Sequence, residues 1–172
     1  MKKTLLAAVL LATSSVAFAL SSMTLTMTST LTFPSANPDT TPIVTGSASV
    51  TATIFIVNPN LEAITLTVQA NSANLVSGGG DTIPVGKMTW DAPSATWVHS
   101  RPPQNQATWN AEQGPKAVTT SATTVLTGND GKAKSNSDTV TGTVVHDFTF
   151  QNSWSYSTGA YTQTLTWTVT AI

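Results

Sequence analysis

Two histidines, eight carboxylates and no cysteine are what this 172-residue chain brings to acid–base, metal or nucleophilic chemistry. His99 and His146 lie far apart, and neither has a second histidine or a carboxylate pair within three or four residues, so a metal site would need distant segments to converge. Asp147 adjoins His146, but successive side chains on a strand point to opposite faces, so the two cannot act on one group. His146 is expected to be buried or interfacial, with one nitrogen satisfied. Ser100 follows His99 without a G-x-S-x-G turn, and that adjacency reads as chance. No pair of carboxylates stands out for glycoside hydrolysis, and an enzymatic reading would have to rest on Asp91, Glu112 or His99. The expectation is a non-enzyme with no catalytic residue, no metal site and no cofactor.

Two loops invite ligand readings. Gly78, Gly79 and Gly80 precede Asp81, but no Lys-Ser/Thr follows to complete a phosphate cradle. The run "TGNDGKAKSNSD" offers Asn129, Asp130, Asn136 and Asp138 as oxygen ligands, yet lacks the alternating spacing and distal Glu of a calcium loop, so a solvated hairpin loop is expected. Aromatic residues offer more. Trp90, Trp97 and Trp109 fall in the least regular part of the chain, where exposed indoles could form a platform for stacking on sugar rings. Trp167 alternates with Leu165 and Val169 and reads as core, while Trp154 and Tyr156 precede a turn and read as a cap on one end.

Composition narrows the partners. Charged residues make up only 9% of the chain, far below the roughly 25% usual in soluble domains. Lys2 and Lys3, the "LLAAVLLA" run and Ala17-Phe18-Ala19 form a secretory signal peptide over residues 1–19, with cleavage expected before Leu20. The remainder carries five basic against eight acidic residues, a formal charge of −3. Nucleic acid, which needs a clustered basic face, is not an expected partner. No other stretch approaches the roughly 18 apolar residues of a membrane helix, so a secreted, extracellular or cell-surface protein without a membrane span is expected. Residues 20–172 contain 31 threonines, whose β-branched side chains suit a pleated surface and keep it wet without charge.

The elements follow a period of two. Residues 22–33, "SMTLTMTSTLTF", place Met23, Leu25, Met27, Leu31 and Phe33 on one face and threonines on the other. Pro34, Pro38 and Pro42 make residues 34–42 a linker. Strands are expected over about 46–57 and 61–70, joined as a hairpin at "NPN". A short strand interrupted by Pro84 and Gly86 lies within 75–90, and a long excursion or a short hairpin with irregular ends follows over 91–116. Two strands then flank the 128–138 loop, with Val140, Val144, His146, Phe148 and Phe150 sharing a face, and a last strand closes the chain from Tyr161. No window shows helical spacing. The fold predicted is one all-β domain over 20–172, an antiparallel two-sheet sandwich of immunoglobulin-like, Greek-key type with about seven to nine strands.

The ending "TGAYTQTLTWTVTAI", through Gly159, Tyr161, Leu165, Trp167 and Val169, resembles the last strand of bacterial fimbrial and surface β-sandwich proteins, among them chaperone-usher pilins and the spore-coat-U-like and WxL-type families. The glycine run with "TIP" at 82–84 is similar to the same proteins more loosely. The resemblance implies a subunit whose N-terminal segment completes the sheet of the next subunit, with 34–42 as the hinge. The comb 22–33 carries no charge, proline or glycine, so it must be covered, either as the first strand of its own sandwich or as a donor to another copy. Self-association or contact with other surface proteins is the partner expectation, and polysaccharide the second. The sequence therefore reads as an exported structural or adhesive surface protein, with a filament subunit as its sharper form. The alternative is a secreted carbohydrate-binding module using Trp90, Trp97 and Trp109.

Overall fold

The computed structural model describes residues 22–27 and 30–172, so the expected signal peptide and its cleavage site lie outside the described residues. Among the described residues, thirteen strands, with one short 3-10 turn, Val85–Lys87, form two antiparallel sheets packed face to face as a β-sandwich. Among the described residues no helix is long and apolar enough to cross a membrane.

The first sheet orders β1 (Ser22–Met27), β4 (Val50–Val57), β12 (Thr139–Gln151), β8 (Met88–His99) and β10 (Lys116–Ala117), with β3 (Ile43–Thr45) also paired to β12. The second orders β7 (Thr82–Pro84), β6 (Asn74–Ser77), β13 (Tyr161–Ala171), β5 (Ala63–Ala70), β11 (Thr123–Asn129) and β9 (Thr108–Ala111), with β2 (Thr30–Phe33) also on β13. Alternation decides which face each strand buries. In β12 every second residue from Val140 to Phe150 is buried, and in β13 Tyr161, Gln163, Leu165 and Trp167 are buried while Thr162, Thr164, Thr166 and Thr168 are exposed. Inward residues of both sheets make one core, in which each fully buried Leu, Ile or Phe contributes about 1.5–3 kcal/mol by leaving water.

Connectivity departs from the expected hairpins. β4 and β5 do not pair with each other; β4 lies between β1 and β12, and β5 between β13 and β11. The turn between them, with Asn58 and Leu61 at positive φ, carries the chain from one sheet to the other. β11 and β12 likewise belong to different sheets, so 128–138 is a cross-sheet connection and not a solvated hairpin loop. Alternation reports which face is buried but is silent on which sheet receives it.

The expected excursion over 91–116 is also corrected. β8, twelve residues long, carries the chain as far as His99 in pairing with β12, and the irregular stretches are confined to residues 100–107 and 112–115, on either side of β9. Between the pairs Val145↔Ser94 and Asp147↔Asp91, Ala92 and Pro93 stand opposite His146 alone. This is a β-bulge, the place where a strand tolerates a proline that cannot donate. A second bulge in β11, between Thr124 and Leu126, lets Val125 and Leu126 both face the core.

The comb divides. β1 pairs with β4 in the first sheet, from Ser22↔Val57 to Met27↔Ala52, while β2 pairs with β13 in the second, from Thr30↔Thr164 to Phe33↔Tyr161. Burial divides with it: Leu31 and Phe33 are buried, whereas Met23, Leu25 and Met27 are only half-buried against the core. Residues 34–42 join β2 to β3 and are tied down by Asn152, whose Nδ2 donates to the carbonyls of Ala36 and Thr41 at 3.1 Å each.

Candidate functional site

Three of the residues singled out for sugar binding lie in or against the core. Trp90 is 1% and Trp109 4% exposed, and Trp97 is half-buried against the core. The reason is the continuity of β8, whose alternation turns Trp90 inward before the bulge and Trp97 inward after it. Trp109, on β9, lays its indole across the gap between the sheets onto Gly142 of β12, where a Cβ would stand 2.0 Å from the ring. These indoles fill the sandwich, and the platform expected of Trp90, Trp97 and Trp109 does not exist.

The titratable groups are engaged in structure. His146 is fully buried among Trp90, Phe148 and Trp167, the nearest ring centroid being that of Trp167 at 4.6 Å. Neither ring nitrogen has a hydrogen-bond partner, where one satisfied nitrogen was expected. Desolvation pushes its pKa down to about 4, against a smaller opposing pull from Asp147, so the ring is neutral near pH 7. His99 accepts the Ala107 N–H at Nε2, 3.0 Å away, and burial lowers its pKa as well. Asp91 accepts from the Gly114 N–H, and Glu112 pairs with Lys116 at 2.8 Å.

The oxygens of the 128–138 segment serve the fold. Asp130 is fully buried and accepts the N–H groups of Glu62 at 2.8 Å and Asn60 at 3.1 Å, latching the β4–β5 crossing. Desolvation raises its pKa, opposed by those hydrogen bonds. Asp138 accepts from the Lys134 and Ser135 N–H groups, with the Arg101 guanidinium 3.7 Å from its other oxygen. Among the described residues no group of three or more His, Asp or Glu is placed to hold a metal ion.

Backbone at the sheet edges is a further feature that the structure leaves available. Sheet edges expose unpaired N–H and C=O groups, and most proteins blunt them with charge, proline or brevity. The edge strand β7 has three residues and ends in Pro84, and β10 has two, one of them Lys116. β1 has no such protection: it is six residues long, uncharged and without proline, and among the described residues β4 is its only strand partner. A second bare edge lies on β13. Among the described residues, β13 from Leu165 to Ala171 pairs with β5 alone, and β2 pairs with it from Tyr161 to Thr164. This stretch, "LTWTVTA", is also free of charge, proline and glycine.

The two bare segments are complementary. If the β2–β13 register is carried on without a shift, Met27 falls opposite Trp167, Leu25 opposite Val169 and Met23 opposite Ala171. Apolar positions then meet apolar positions, and threonines meet threonines on the outer face. The alternation of β1 was legible in the sequence; that β13 keeps an open flank beside it was not, since a strand's partners are set by distant segments. Comparison with protein-family models, with curated proteins and with solved structures finds no match to this chain.

Proposed function

We propose that this is an exported, non-enzymatic structural or adhesive surface protein that self-associates by strand donation, the β1 segment of one copy completing the open flank of β13 in the next. The matched pair of unprotected edges carries this reading. Both are neutral and alternate in the same sense, and the half-buried side chains of β1 gain full burial when seated over Trp167 and Val169. Main-chain hydrogen bonds would supply affinity and the comb of Met23, Leu25 and Met27 the register. A contact between two different surfaces repeats head to tail, and repeated donation builds a filament where its rotation does not close a ring.

The broad outer threonine faces support the same reading. Five threonines of β13 and Thr65 and Thr67 of β5 form an uncharged field on the second sheet, in which Thr168 stands opposite Thr67 and Thr170 opposite Thr65. Without net charge to repel neighbours, such faces allow close packing between copies. Electron microscopy of the mature protein tests assembly. Filaments are expected from the wild type and none from Leu25→Lys, which places a charge inside the donated strand. Monodisperse wild-type monomers at high concentration would overturn the reading.

A further inference from the structure

The end of the sandwich where 34–42 meets the loop 152–160 holds a cleft of about 330 Å³, at the lower end of the roughly 300–1,000 Å³ of small-molecule sites. We propose that it binds one pyranose ring of a neutral glycan, stacked on the face of Trp154. This inference stands apart from the strand-donation reading, because it uses neither β1 nor the open flank of β13.

Trp154 is 66% exposed, an unusual state for the largest apolar side chain in a chain that buries Trp90, Trp109 and Trp167. It is nonetheless fixed. Its Nε1–H donates to Asp39 Oδ1 at 2.9 Å, and Asp39 is itself set by a turn in which its N–H donates to Asn37 Oδ1. Asn152 clamps the facing segment through Ala36 and Thr41, and the Tyr161 hydroxyl donates back to the Ser157 carbonyl at 2.9 Å, as in a tyrosine corner. Behind the cleft Phe150 packs edge-on against Phe33, with Tyr156 and Tyr161 around it. The indole is thus held ready on a rigid base, which lowers the entropy cost of binding.

The chemistry of the walls selects the ligand. Among the described residues no charged side chain lines the cleft, and its polar groups include the hydroxyls and amides of Ser35, Asn37, Ser153, Ser157 and Thr158. A pyranose has an apolar face of C–H groups and a perimeter of hydroxyls, which matches an aromatic plate ringed by neutral donors and acceptors. A proline-rich peptide is the competing occupant of an aromatic groove. It is disfavoured because Asp39 already takes the indole N–H, so Trp154 has its ring face to offer and not a donor for a peptide carbonyl.

The test is calorimetric titration of the mature protein with cellohexaose, mannohexaose and chitohexaose, alongside a proline-rich decapeptide. At least one hexasaccharide should bind with a Kd on the order of 1 mM or tighter. Trp154→Ala should weaken it by about tenfold, while Trp154→Phe retains most of the affinity and both variants keep the wild-type melting temperature. The proposal is overturned if none of the three saccharides binds the wild type, if Trp154→Ala binds as the wild type does, or if only the peptide binds.

Discussion

His146 sits in an aromatic nest with neither nitrogen paired, and this has a measurable consequence for stability. Its folded pKa of about 4 lies below the unfolded value of 6.5. Above pH 6.5 both states are neutral and its contribution is fully present. As pH falls from there toward 4 the unfolded chain takes up a proton that the native ring refuses, and stability declines by up to about 3 kcal/mol. Urea melts across that range should show the decline in wild type and a much shallower one in His146→Phe, with a remnant from His99, whose pKa is lowered in the same direction. The burial of His146 and Trp167 was legible from spacing alone, because each sits in an unbroken alternation. The inward faces of Trp90 and Trp97 are hidden for the converse reason, because Pro93 and the bulge interrupt the alternation of β8, and Trp109 lies on the four-residue β9, too short to show one.

At the scale of elements, alternation located the long strands, and the last one, Tyr161–Ala171, falls where expected. Pairing was not legible. A turn such as "NPN" marks a reversal equally well whether the chain returns beside itself or crosses to the facing sheet, and here it crosses. The group that enforces the crossing is Asp130, about seventy residues downstream of the turn it holds. Asp130→Ala would leave the N–H groups of half-buried Glu62 and exposed Asn60 without this acceptor, at a cost of about 1–3 kcal/mol for a group that stays buried and unpaired. Hydrogen exchange should then show faster amide exchange at residues 58–62 while the β12 amides stay protected. Uniform loss of protection would place Asp130 in the global core instead.

For the molecule as a whole, the absence of cysteine places stability on one apolar core and two hydrogen-bonded sheets. Its charges are few, and threonine covers the faces. Under the proposed strand donation, bare edges on β1 and β13 would supply a directional contact between copies. The sequence raised the question of what covers the comb. The structure splits the answer, seating Leu31 and Phe33 deeply and leaving Met23, Leu25 and Met27 half covered on an open edge. The most direct test uses the lack of native cysteine. Thr24→Cys with Thr170→Cys joins two exposed positions that face each other only if β1 lies along β13 in the continued register. Oxidation of the double variant should give a ladder of covalently linked multimers on a denaturing gel, abolished by either single variant. A product that stays monomeric, internally linked or unlinked, would contradict strand donation between copies.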